Sequence, residues 1–303
     1  MTRLAVTVLI GQALAVLIAL TVVADMTAHR HTQLLGGVNI WGYRGPVMTR
    51  KAINELRIAT VGGDLAFGWG VAAGETSTAA LRQAVSFALD RPGAPNRIFS
   101  AVNLGAMGLS PARYGDRLRQ FAYLNPDVVC VLFDPPGPRG RAWMPSDESA
   151  VTAATGYVPL LPLVLAEKQR SRVVVVAATA FTNADRRLFS ALHGTDTRDT
   201  SGEDPERYGS AAAETTSASL NAGARVVVVL PPNRRDHDRA YHDAVANALR
   251  PLLGSARVAL VDLGAQTELF DEWLLLDGVN LSAAGHARMA ARIAPTVLQL
   301  VAE

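Results

Sequence analysis

Two stretches of this chain, VVVVAA within Arg172–Ala178 and VVVVLP beginning at Val226, each run four valines together with no polar residue among them. Valine branches at Cβ, which restricts χ1 and favours a pleated strand over a helix. A strand that is apolar at every position has no face to give to water, so both faces have to be covered. A central strand of a parallel sheet with helices on each side meets that condition. Similar runs recur at Arg57–Val61, Arg97–Leu104, Asp127–Phe133 and Arg257–Val261, while Arg225–Leu230 holds the second valine block. Helical patterns separate them: Glu75–Leu89, Ala112–Tyr123 after Pro111, Tyr157–Gln169, Pro205–Ala222, Arg239–Leu253, and Ala283–Val301 behind Ser282 as N-cap. This alternation predicts one doubly wound α/β domain with a mainly parallel sheet. Ligands of such sheets bind at the carboxyl ends of the strands.

The N-terminus obeys a different rule. Leu4–Ala24 (LAVTVLIGQALAVLIALTVVA) carries no charge, and Gln12 is its one strongly polar side chain. At about 1.5 Å per residue such a helix spans about 30 Å, the thickness of bilayer hydrocarbon. A core helix would show a polar face, and this segment has none. Val22-Val23-Ala24 resembles a cleavage site, yet the apolar run exceeds the roughly 7–15 residues of a signal-peptide core. The expectation is an uncleaved transmembrane anchor, residues 1–26, with the lipid bilayer as its partner. Arg3 and the amino terminus, weighed against Arg30 and Arg44, slightly favour a cytoplasmic N-terminus. The body then lies on the periplasmic or extracytoplasmic side of an inner (cytoplasmic) membrane.

Residues 27–50 read as a polar connector in which His29, Arg30 and His31 form a solvated juxtamembrane segment rather than a metal site. Residues 51–303 form the α/β domain. The polar stretch 182–204 interrupts its rhythm and reads as a surface excursion with a short helix at Arg187–Leu192. The 303 residues, 49% hydrophobic, suffice for one large core, and a net charge of +2 gives no field that would favour nucleic acid. Cys130, the only cysteine, excludes an intrachain disulfide and reads as a buried hydrophobe in a strand. No cofactor or metal is implied by any cysteine or histidine spacing.

The segment VGGDLAFGWGVAAGET, Val61–Thr76, has a strand entering a Gly-Gly-Asp corner, a turn with Gly68 and Gly70, and a helix opening at Glu75. Together with VNLGAMGLSP, PDVVCVLFDPPGP and DGVNLSAAGHARMA, in that order, it resembles the four blocks of the SGNH (GDSL-type) hydrolase superfamily. NIWGYRGP ahead of them is similar to the lead-in of membrane-anchored bacterial members. The resemblance covers about Asn39 to the C-terminus and implies a three-layer, flavodoxin-like domain that hydrolyses esters with Ser, His and Asp. It further implies an oxyanion held by the Ser backbone N–H, a Gly N–H and an Asn side chain.

Carried over residue by residue, the chemistry is missing. Gly63 and Asp64 match, and the nucleophile's place falls on Leu65, which has no nucleophilic atom. Gly108 matches the oxyanion glycine. The oxyanion Asn falls on Pro135 or Pro136, and proline donates no hydrogen bond. The D-x-x-H motif reads Asp277-Gly278-Val279-Asn280, so Asp277 is kept and the base becomes Asn280, whose amide accepts no proton in catalysis. Losing a triad nucleophile or base alone lowers the rate by about 10⁶. A relocated pair would draw on Ser77, Ser110 or Ser282 with His286, although Ser282 also reads as a helix cap and His286 as a helix-start residue that packs locally. Asp64 and Asp277 could serve as paired carboxylates, but read better as acceptors for turn N–H groups. In NRRDHDRAYHD, residues 233–243, the His237–His242 spacing does not share a helix face, so Asp236 or Asp238 reads as a cap and not as a metal ligand. The expected function is that of a catalytically inactive, membrane-anchored SGNH-like protein serving as an accessory or structural subunit of a membrane complex, with other membrane proteins as its expected partners. The alternatives are an esterase or acetyl-transfer enzyme acting on cell-surface polysaccharide, and a non-catalytic carbohydrate-binding protein.

Overall fold

Valine-rich runs pair as expected in the computed structural model, which describes residues 3–90, 97–135, 149–162, 180, 183–185, 187–188, 204–232, 238–265 and 280–302. The chain divides into two compact units, Met1–Gly42 with Met144–Asp196, and Tyr43–Trp143 with Thr197–Glu303.

The second unit holds a five-stranded parallel sheet: β1 Glu55–Gly62, β2 Ile98–Asn103, β3 Val128–Leu132, β4 Arg225–Leu230 and β5 Val258–Asp262. Their order is β2-β1-β3-β4-β5, the flavodoxin-like arrangement, whose switch point lies between β1 and β3. Register aligns Ile58 with Val128, Val128 with Arg225, and Val226 with Val258. Each residue from Val226 to Val229 is fully buried; covering such a side chain contributes about 1.5–3 kcal/mol.

Alternate residues feed opposite faces. On one face Ile58, Cys130, Leu132, Val227 and Val229 join a cluster with Leu81 and Val85 of helix α3 (Ser77–Leu89) and with Met289, Ile293 and Val297 of the C-terminal helix, α8 (Ala283–Ala302). On the other face lie helix α4 (Tyr114–Gln120) and helix α6 (Pro205–Asn221), joined by helix α7 (Asp238–Leu249) against α6. Tyr114, Phe133, Tyr208 and Tyr241 form a chain of ring contacts between these elements.

Local signals set the helix ends. Thr76 Oγ1 accepts from Ala79 N, so α3 starts at Ser77, and the expected opening at Glu75 is a 3₁₀ turn, Ala73–Glu75. Asp204 caps α6 ahead of Pro205, and Ser282 Oγ accepts from Gly285 N at 3.2 Å. The helix expected over Ala112–Tyr123 is shorter, flanked by 3₁₀ turns at Pro111–Arg113 and Ala122–Leu124 and closed by Asn125 at φ 47°. The pattern Arg239–Leu253 ends at Leu249, because Pro251 cannot continue a helix.

The first unit contains helix α1, Arg3–Thr32, whose apolar part is exposed on all sides. Here the connector reading is corrected: the helix runs on past Ala24, and Asp25 and His29 are buried. Asp25 accepts from the backbone N–H groups of Leu160, at 2.9 Å, and Leu161, and from the Tyr157 hydroxyl. His29 places Nδ1 3.1 Å from Val38 O and Nε2 2.7 Å from Val158 O. Helix α5 is Ala150–Thr155, stopped by Gly156 at φ 73°. Residues 157–160, expected in a helix, have no regular secondary structure, and Tyr157, Val158 and Leu160 meet Asp25 and His29. The strand expected at Arg172–Ala178 lies outside the described residues, as does most of the excursion.

Candidate functional site

At the switch point the chain leaves β1 through Gly62 and Gly63 into a single helical turn, α2 (Asp64–Phe67). Both glycines are required by close approach. A Cβ on Gly62 would lie 2.3 Å from Leu132 O, and one on Gly63 would lie 1.9 Å from Asp134 Oδ2. Their absence of side chain lets Asp134, two residues past β3, reach the turn.

Asp134 is buried and accepts from Leu65 N through Oδ1 at 2.7 Å and from Asp64 N through Oδ2 at 3.1 Å. The exposed Asp64 reaches across to accept from Gly108 N at 2.9 Å. Gly108 sits at φ 68°, where a side chain would be strained. Three backbone donors at the carboxyl edge are therefore committed to two carboxylates.

Leu65, the residue expected to replace a nucleophile, points elsewhere. It is half-buried and packs against the core cluster below the sheet edge. The side chain that turns toward Gly108 belongs to Asp64, one residue earlier. Asp64 and Gly108 meet, and Asp64 rather than Leu65 occupies the cradle. Asn280 is half-buried at the start of the last helix's approach, and Pro136 and Asp277 lie outside the described residues.

A second layer of polar groups supports the turn after α2. Arg44 donates to the carbonyls of Phe67, Gly68 and Val71 and lies 4.7 Å over the Phe67 ring. Burial lowers the Arg44 pKa to about 10. Asn103 Nδ2 donates to Ala66 O at 2.7 Å, and its Oδ1 accepts from Gly105 N at 2.9 Å. Neither Arg44 nor Asn103 nor Asp134 stood out in the sequence as a site residue. Asp134 had a usable signal: a carboxylate immediately past a fully apolar strand lands at the ligand edge of a parallel sheet.

Of the candidates for a relocated pair, Ser77 and His286 do meet, with Oγ 2.6 Å from Nδ1. Their exposures are 3% and 1%, so both side chains are covered within the fold. Burial first, and then the Arg44 charge, lower the His286 pKa to about 4, which keeps the ring neutral. The pair works as a buried strut between α3 and α8. Ser110 stands ahead of a 3₁₀ turn and Ser282 caps α8. His242 Nδ1 lies 2.9 Å from Asp262 Oδ1, whereas Asp236 and His237 lie outside the described residues. Among the described residues no group of three or more His, Cys, Asp or Glu could hold a metal ion.

No protein-family model matches the sequence, and no curated relative matches it. Similar solved structures include LAE5, an alpha/beta hydrolase enzyme from the metagenome of Lake Arreo, at 16% identity, covering 80% of this chain and 96% of that one with a TM-score of 0.48. The lipase/acylhydrolase from Enterococcus faecalis is similar at 12% identity over 80% and 95% of the two chains, TM-score 0.48. A catalytic mutant of Axe2, an acetylxylan esterase from Geobacillus stearothermophilus, is similar at 13% identity over 84% and 96%, TM-score 0.46.

Proposed function

We propose that this chain is a membrane-anchored, catalytically inactive SGNH-hydrolase-like protein that serves as an accessory subunit of a membrane complex. The observation that carries the inactive reading is the commitment of Asp64 N, Leu65 N and Gly108 N to the carboxylates of Asp134 and Asp64. In the family that the sequence resembles, the nucleophile sits on the turn between the first strand and the first helix, beside a glycine donor. Asp64 fits that place better than Leu65, since its side chain is the one beside Gly108. On this reading the nucleophile has become an acid that fills its own oxyanion cradle.

Helix α1 supports the anchor. Its length and composition suit a membrane span, and its last turns are built into the first unit through Asp25 and His29. We place the anchor in the inner membrane with the α/β unit on the extracytoplasmic side.

A fluorophosphonate probe, which traps an activated serine, tests inactivity. The full chain in mild detergent should remain unlabelled, and labelling abolished by Ser77→Ala would overturn the reading. The accessory role is tested by gentle purification from the native membrane: stoichiometric membrane proteins should accompany the chain, and recovery as a lone species from several detergents would count against it.

A further inference from the structure

The apolar part of α1, Leu4–Ala24, carries three hydroxyl or amide side chains, Thr7, Gln12 and Thr21. The two threonines are satisfied within the helix: Thr7 Oγ1 donates to Arg3 O at 3.0 Å, and Thr21 Oγ1 to Leu17 O at 2.8 Å. Gln12 differs. Its side chain is exposed, and no bond joins its amide to another described residue. Gln12 lies eight residues from Leu4, so about 12 Å inside the segment. With α1 as the membrane anchor proposed above, a reading on which this inference rests, the amide stands in hydrocarbon. It brings two N–H donors and a carbonyl acceptor, and no water is there to meet them.

Two turns of helix bring positions seven apart into line. Ala5 and Ala19 therefore flank Gln12 on one face, with Ala15 beside them. Small side chains let a second helix approach closely enough for an amide to bridge the gap. Leu14 and Leu17 lie on the opposite face. Asp25 and His29, which tie α1 into the first unit, project from other sides of the helix, so that joint leaves the Gln12 face open. An amide is both donor and acceptor and so complements itself. Copies of one chain insert with one orientation, which sets their Gln12 side chains at the same depth. A two-fold axis along the membrane normal then lets each Gln12 carbonyl accept from the other amide. We infer that α1 pairs, parallel and symmetrically, with α1 of a second copy of this chain through the face of Ala5, Gln12 and Ala19.

The test is oxidative cross-linking of the full chain in native membranes with copper phenanthroline. Cys130 is fully buried, so the parent serves as the blank. Ala15→Cys and Ala19→Cys should each give a disulfide-linked product of twice the chain mass, whereas Leu14→Cys and Leu17→Cys should not. In liposomes of the purified Ala15→Cys chain, adding Gln12→Leu should move the half-linked point to about tenfold higher protein density. Leucine is more apolar than glutamine, so insertion of the helix is preserved. Alkaline carbonate separates the two readings: a chain that it releases from the membrane overturns the anchor and the pairing together. A chain that stays in the membrane but remains unlinked, links equally from both faces, links only to a protein of another mass, or is indifferent to Gln12→Leu overturns the pairing alone.

Discussion

Acidification should weaken the α/β unit through one residue, His286. The ring is 1% exposed and packs against Gly68, with Ser77 Oγ on its Nδ1. Burial is the main cause of its lowered pKa, and the nearby Arg44 guanidinium adds to it. A histidine whose folded pKa is depressed binds its proton more readily when the chain unfolds. Its contribution to stability is complete above pH 6.5, falls as pH drops toward about 4, and is constant below. The gap from 6.5 to about 4, at about 1.4 kcal/mol per pH unit, sets a ceiling of about 3 kcal/mol. Urea unfolding of the parent and of His286→Gln at steps between pH 7.5 and 4 measures it. The amide keeps an acceptor for Ser77 but does not titrate. Carboxylate contributions, such as that of the hydrogen-bonded Glu55, are common to both proteins and cancel in the difference. The stability gap between parent and variant should change by up to about 3 kcal/mol in favour of the variant as pH falls across this window. Parallel curves would show that His286 does not sense burial and Arg44 as described.

Burial raises the Cys130 thiol to about 12, so the folded chain should resist iodoacetamide at pH 8 and react only after denaturation; rapid alkylation of the native protein would contradict this. Asp25→Ala leaves the Tyr157 hydroxyl and two backbone donors without their acceptor, which should lower the stability of the first unit by about 3 kcal/mol, read as faster limited proteolysis of that unit. Arg44→Ala removes the donor to three carbonyls of the turn after α2, so hydrogen exchange at residues 67–71 should rise at least tenfold while exchange in β3 and β4 stays slow.

Much of the architecture was legible because the valine blocks leave few options. A run such as Val226–Val229 must be covered on both faces, and Arg225–Leu230 is the strand expected. Helix ends were less legible where short-range geometry decides: Thr76 moved the start of α3 by two residues, and α4 gives way to a 3₁₀ turn after Gln120, before the end that apolar spacing suggested. The connector was misread because Asp25 and His29 find their partners at 157–161, a pairing of high sequence separation that no local pattern reveals. The site shows the same limit. Spacing gathered Asp64, Leu65 and Gly108, but which of two adjacent side chains enters the cradle depends on the turn after Gly63. Leu65 goes to the core because it is apolar, and Asp64 to the rim because it is charged. Asp134 escaped notice because its role exists only once β1 and β3 lie side by side.

The central claim is that this cradle is chemically silent, since its donors hold carboxylates and its serine–histidine pair is buried. Hydrolysis of p-nitrophenyl acetate by the full chain, compared with heat-inactivated protein and with the Ser77→Ala, Asp64→Ala and His286→Gln variants, tests it most directly. All of them should match the inactivated background, because loss of a triad nucleophile or base lowers the rate by about 10⁶. Turnover above that background, removed by any one of the three substitutions while the fold is retained, would contradict the account.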